Sequence, residues 1–198
     1  MPEPIEYGFA DRLAFSDGHA STISVEAICM EQIPGAVAVE RATKRDDRSG
    51  TDWWVRRNTV RPLSIDAKVR SEDWAAKPEP QDDLALETWS VVEQQVVGWT
   101  RNPQKTTDYI LWLWTDTGRW CLVSFPMLCA VMESLWQEWT NTYKVARQAT
   151  PRADGTKYHS ECVFVPRREV WKQIYLRYGG ASPSRQPLGH PVSAQPPR

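Results

Sequence analysis

Residues 109–114 read Tyr-Ile-Leu-Trp-Leu-Trp, six apolar or aromatic side chains in a row. An extended segment sends alternate side chains to opposite faces, so this one needs apolar cover on both sides. It is a central strand, and it commits the chain to a layered domain rather than a one-faced sheet. Asp116-Thr117-Gly118 then turns the chain into Arg119–Phe125, which completes a hairpin. Pro126 suits the first turn of a helix. Leu128, Val131, Met132, Leu135, Trp136, Trp139 and Tyr143 follow at three- and four-residue steps, the strongest amphipathic helix in the sequence.

Upstream, Ile5, Phe9 and Leu13 predict a helix over 5–14, and Ser21 or Thr22 caps a second with Ile23, Ala27, Ile28 and Met30 as its stripe. Strands are expected at Val37–Arg41, Thr51–Arg56, Leu63–Arg70 and Leu84–Val92. The turn cluster 46–50 and the Pro- and charge-rich loop 71–83 separate them. Leu63–Arg70 alternates cleanly, with Leu63, Ile65, Ala67 and Val69 on one face and Ser64, Asp66, Lys68 and Arg70 on the other. A last strand at 161–165 precedes a helix whose inner stripe is Val170, Trp171, Ile174, Tyr175 and Tyr178. The order implies an α/β (α+β) domain over 1–180, a central mixed β-sheet flanked by helices, followed by a disordered Pro-rich tail over 181–198.

The 198 residues carry a net charge of -1, which excludes a polybasic arm but not a local basic face. Cys29, Cys121, Cys129 and Cys162 form no C-x-x-C pair and sit among apolar neighbours, which reads as buried, reduced thiols. No apolar run is long enough to span a bilayer and no signal peptide is evident. A soluble, cytoplasmic protein without a membrane partner is expected.

Chemistry concentrates at Asp52 and at Asp66-Ala67-Lys68. Asp66 and Lys68 share one face of their strand, and a neighbouring antiparallel strand brings Asp52 beside them. Close carboxylates repel unless a cation lies between them. A hard ion such as Mg²⁺ suits the oxygen ligands, and a water on it is a nucleophile for a phosphodiester. Lys68 adds positive charge where the transition state becomes anionic. Glu87 lies between apolar neighbours and is a further candidate acid. The plainer readings are a turn cap for Asp52 and a solvated ion pair for Asp66 and Lys68.

These residues resemble the PD-(D/E)XK nuclease superfamily, with the restriction-endonuclease-like fold. The resemblance rests on Gly50-Thr51-Asp52-Trp53-Trp54-Val55, Leu63-Ser64-Ile65-Asp66-Ala67-Lys68-Val69, Leu86-Glu87-Thr88, and the segment from Gly98-Trp99 to Asp108-Tyr109-Ile110. The last two pieces look like phage and mobile-element members. The resemblance covers roughly residues 20–125 and implies DNA as substrate with Mg²⁺ or Mn²⁺ as cofactor. It makes Asp52 and Asp66 metal ligands, Lys68 the catalytic lysine and Glu87 the variable extra acid. A helical acid also belongs to the pattern; Glu26 is the best match for this metal position, with Glu31 and Glu40 as rivals. Thr51 stands where the proline of the family name is expected.

Arg45, Arg48, Arg56, Arg101 and Lys105 flank these pieces and could track a phosphate backbone, with Trp53, Trp54 or Trp99 stacking on a base. Trp112, Trp114, Trp136 and Trp139 are assigned to the core. Asp116-Thr117-Gly118 matches the aspartic-protease tripeptide but reads as a turn. The sequence therefore predicts a metal-dependent deoxyribonuclease. The alternative is a catalytically inactive nuclease-fold binding module, an accessory protein that grips a protein or nucleic acid; a homodimer is open in either case.

Overall fold

The computed structural model describes residues 24–47, 50–58, 61–152 and 154–179. The helix expected over 5–14, Arg48 and the tail 181–198 lie outside the described residues. The chain runs α1 (Val25–Gln32), β1 (Ala36–Arg41), α2 (Lys44–Asp47), β2 (Trp53–Arg57), β3 (Leu63–Arg70), β4 (Asp83–Val91) and β5 (Val96–Val97). It continues through β6 (Tyr109–Trp114), β7 (Trp120–Ser124), α3 (Phe125–Thr142), β8 (Val145–Pro151), β9 (Lys157–Pro166) and α4 (Arg167–Tyr178).

Two sheets form where the sequence suggested one. The first is five-stranded and mixed, in the order β1-β2-β3-β6-β7, and the second is four-stranded, β5-β4-β9-β8. In the first sheet β1, β2 and β3 run antiparallel, β6 runs parallel to β3, and β7 returns antiparallel to β6. All pairs in the second sheet are antiparallel. β4, expected in the central sheet, instead pairs with β9 across the chain.

β6 has the two-sided burial its sequence requires. Leu111 and Leu113 join the cluster of Val25, Ile28 and Cys29 from α1 with Val55 and Ile65, while Ile110, Trp112 and Trp114 join the opposite cluster. That second cluster holds Leu128, Val131, Met132 and Trp139 of α3, Leu84 and Leu86 of β4, Val163 and Val165 of β9, and Val170 and Ile174 of α4. Trp112, Trp114 and Trp139 are buried as expected and Trp136 packs against the same cluster.

Several local expectations are corrected. Ser24, not Ser21 or Thr22, caps α1, accepting the Ala27 N–H at 3.2 Å, and Met30 is exposed. Residues 44–47 close into a helical turn that overlaps the start of the expected turn cluster at 46–50. β8 was not expected, because four of its seven residues are exposed and leave no apolar alternation to read. Tyr175 and Tyr178 point outward from α4 instead of lining its inner stripe.

A charged clamp ties the β6–β7 hairpin to the second sheet. The Arg119 guanidinium grips Asp73 through Nε at 2.6 Å and Nη2 at 2.7 Å, and Asp82 through Nη1 at 2.7 Å. Arg167, opening α4, donates to the other Asp82 oxygen at 2.8 Å. Asp116 and Thr117 belong to this clamp: Asp116 accepts the Asp73 N–H and Thr117 donates to Asp73. Gly118 completes the turn at φ 71°, a left-handed conformation that favours glycine. All four cysteines are free, and burial pushes Cys29 and Cys121 up to about 11 and Cys129 and Cys162 up to about 12. Among the described residues no helix is long and apolar enough to cross a membrane.

Candidate functional site

Asp52 stands one residue before β2. Its backbone N–H donates to the Ile65 carbonyl at 2.8 Å, and its Oδ2 accepts the Ala67 N–H at 2.7 Å. The carboxylate takes over where the β2–β3 ladder ends and lies against the Asp66–Ala67 peptide. The two aspartates are fourteen residues apart in sequence, and the antiparallel pairing of β2 with β3 brings their backbones together. The preceding turn is fixed from three sides. Thr51 N–H reaches the Asp46 carbonyl at 3.2 Å, the Thr107 hydroxyl donates to the Gly50 carbonyl, and Lys105 packs over Gly50.

Asp66 lies across from Ile110 and Lys68 across from Trp112, so both side chains share the face that carries the larger core cluster. The polar edge of β3 is therefore covered rather than freely solvated. Asp66 is 7% exposed and forms an ion pair with Lys68, Oδ1 to Nζ at 2.7 Å. A carboxylate this buried is costly without such a partner. The Lys68 side chain keeps 24% of its surface accessible, so the amine is the solvent-facing end of the pair. Lys68 Nζ also sits 5.0 Å from the centroid of the Trp99 ring, within cation–π range.

Glu87 lies on β4 in the second sheet. Its Oε2 accepts the Ser90 hydroxyl at 2.8 Å and the Trp99 N–H at 2.9 Å. Glu26 is exposed on α1, whose apolar side packs with Ile65 and Val55, the opposite cluster from the one Asp66 faces. Among the described residues no three His, Cys, Asp or Glu side chains gather as a group able to hold a metal ion. Neither Glu87 nor Glu26 thus completes a three-acid cage with Asp52 and Asp66. Asp52 and Asp66 are the two carboxylates at this junction of β2 and β3, and Mg²⁺ binds through one or two carboxylates and keeps its waters.

The basic residues expected to meet nucleic acid have varied placements. Arg45 is exposed on α2. Arg56 forms a two-pronged pair with Glu40 across β1 and β2, at 2.8 and 3.0 Å. Trp54 is half-buried, and hydrogen bonds from Thr43 and then Trp54 hold the Asp46 carboxyl below the usual range. Arg101 packs its guanidinium 3.8 Å from the Trp136 ring centroid and 4.8 Å from that of Trp89, a role inside the fold. Trp53 is buried, and Trp99 packs on Phe125 and Trp112.

Two residues named in the sequence have roles that only the structure shows. Trp99 is the link between Glu87 and Lys68; the signal was Gly98, where a Cβ would lie 2.1 Å from the Glu87 carbonyl oxygen. The second is Asp108 at the start of β6, which accepts from Ser64 N–H and Oγ and from Arg61. Burial alone would raise the Asp108 carboxyl, but the Arg61 and Ser64 hydrogen bonds hold it below the usual range. No protein-family model, no curated protein and no solved structure matches this chain.

Proposed function

We propose that the chain is a Mg²⁺- or Mn²⁺-dependent nuclease of the PD-(D/E)XK type, with a restriction-endonuclease-like fold, that hydrolyses DNA phosphodiester bonds. The observation carrying this reading is the junction of β2 and β3, where the Asp52 carboxylate rests on the Ala67 N–H and the flanking residues Asp66 and Lys68 pair at 2.7 Å. Asp52 thus abuts β3 at Ala67, between Asp66 and Lys68. The mixed five-stranded sheet, with α1 on one face, supports the fold assignment.

Asp52 and Asp66 would hold the ion; when bound, it supplies an activated water and neutralises phosphate charge. Asp52 is oriented by its backbone hydrogen bond, so its carboxylate costs little to hold in place. Asp66 fixes the Lys68 amine, and the ammonium faces the charge that develops on the phosphate oxygens. Lys105 and Arg45, beside the Gly50 turn and on α2, suit the approach of a phosphate backbone.

The test is cleavage of plasmid and single-stranded DNA with Mn²⁺ by wild type, Asp66→Ala and Lys68→Ala. Metal-dependent cutting that falls about 100-fold or more in both variants supports the reading. Cutting that is equal in all three proteins overturns it. A second reading, an inactive nuclease-fold module that binds a protein, is favoured by large apolar side chains left in solvent. Trp74 is 54% and Leu176 65% exposed. Wild type that neither cuts DNA nor binds Mn²⁺ selects that reading.

A further inference from the structure

We infer that Trp99 is a positioning residue for the Lys68 amine, and that Glu87 serves the site by seating Trp99 rather than by ligating a metal. The inference rests on the nuclease reading and assigns Glu87 a different task within it. Lys68 and Glu87 belong to different sheets, and Trp99 spans the gap between them. Glu87 Oε2 holds the Trp99 N–H at 2.9 Å, and the Gly98 N–H donates to the Thr88 carbonyl at 3.0 Å. The Thr100 hydroxyl adds a third tie, donating to the Glu87 carbonyl at 2.5 Å. Residues 98–100 are thereby pinned to β4, and only a glycine at 98 permits so close an approach.

The indole leaves this anchor and packs on Phe125, with centroids 6.1 Å apart and planes at 28°, and on Trp112 at 6.2 Å. Its orientation is therefore set before Lys68 is considered. Lys68 Nζ then has two fixed neighbours, the Asp66 carboxylate at 2.7 Å and the indole at 5.0 Å. A long, flexible ammonium side chain loses its rotamer freedom to these contacts in advance of substrate. A carboxylate already accepting from a hydroxyl and a peptide N–H is arranged as an acceptor, a task a glutamine carbonyl can also perform. A metal ligand has no such tolerance, because the amide lacks the charge.

The test combines a spectroscopic readout with kinetics. Lysine-selective ¹³C labelling reports the Lys68 Cε protons, assigned with Lys68→Arg, and an indole at this distance moves them upfield by its ring current. The shifted signal is expected in wild type, Glu87→Gln and Trp99→Phe, and is lost in Glu87→Ala and Trp99→Leu. In cleavage assays Glu87→Ala and Trp99→Leu lower kcat about tenfold, the size of one well-placed cation–π contact, with KM within about twofold. Glu87→Gln recovers most of the turnover that Glu87→Ala loses. A signal that stays shifted in Glu87→Ala overturns the inference, as does Glu87→Gln failing as completely as Glu87→Ala. Wild type that shows the spectral pattern but cuts no DNA leaves the Glu87–Trp99–Lys68 arrangement standing and overturns only the nuclease reading.

Discussion

Asp73→Ala probes the charged clamp that fixes the β6–β7 turn against the connection between β3 and β4. The Asp73 side chain is 2% exposed and takes two hydrogen bonds from Arg119. Removing one partner of a buried pair typically costs about 3–5 kcal/mol. Here the Arg119 guanidinium keeps Asp82 at 2.7 Å and lies 4.2 Å from the Trp114 ring centroid, so it is not stranded. The lower end, about 3 kcal/mol, is expected. For a chain of this length that lowers the thermal midpoint by about 6–12 °C at neutral pH. The loss depends on pH with a definite sign. Burial alone would raise the Asp73 carboxyl, but the Arg119 and Thr117 hydrogen bonds hold it below its ordinary value. Its contribution is therefore full above the unfolded value near 3.9 and disappears as pH falls toward the folded one. Calorimetric melts of wild type and Asp73→Ala from pH 7 to pH 3 should converge toward the acid end. A difference below about 1 kcal/mol at pH 7, or one that widens in acid, refutes the clamp as described.

Gly98→Ala should act on stability and site together. Its Cβ would meet the Glu87 carbonyl carbon at 2.5 Å as well as the oxygen, so backbone must move at a cost of about 1–3 kcal/mol. Denaturant unfolding measures that cost, and DNA cleavage should fall with it because Trp99 shifts; an unchanged midpoint contradicts the close approach. Arg101→Ala should destabilise by about 2 kcal/mol through lost stacking on Trp136 and Trp89. It should leave the salt dependence of DNA binding unchanged; a reduced slope would place the guanidinium on phosphate.

The legible part of this fold is its periodic part. β3 showed its register through strict alternation, and β6 announced two-sided burial through six apolar residues; both positions follow from side-chain direction alone. α3 was equally plain, since Leu128, Val131, Met132 and Trp139 repeat at helical steps and all are buried. The split into two sheets was hidden, because alternation says that β4 is a strand but not that its partner is β9, about eighty residues downstream. β8 had no pattern to read, being an exposed strand. At the site, the pairing of Asp66 with Lys68 was readable from strand spacing. Their placement over the core face was not, since a polar face opposite an apolar one reads as solvated. Trp99 was read as a base-stacking candidate because the segment after β5 has no period to show that it packs inward, and the meaning of Gly98 appears only when the Glu87 carbonyl stands against it.

The most direct measurement is a calorimetric titration of Mn²⁺ into wild type, Asp52→Asn, Asp66→Asn and Glu26→Gln. Saturable binding is expected for wild type, loss of binding for both aspartate variants, and wild-type binding for Glu26→Gln, whose side chain is exposed on α1. Binding that survives both aspartate substitutions, or wild type that takes up no Mn²⁺, contradicts that expectation.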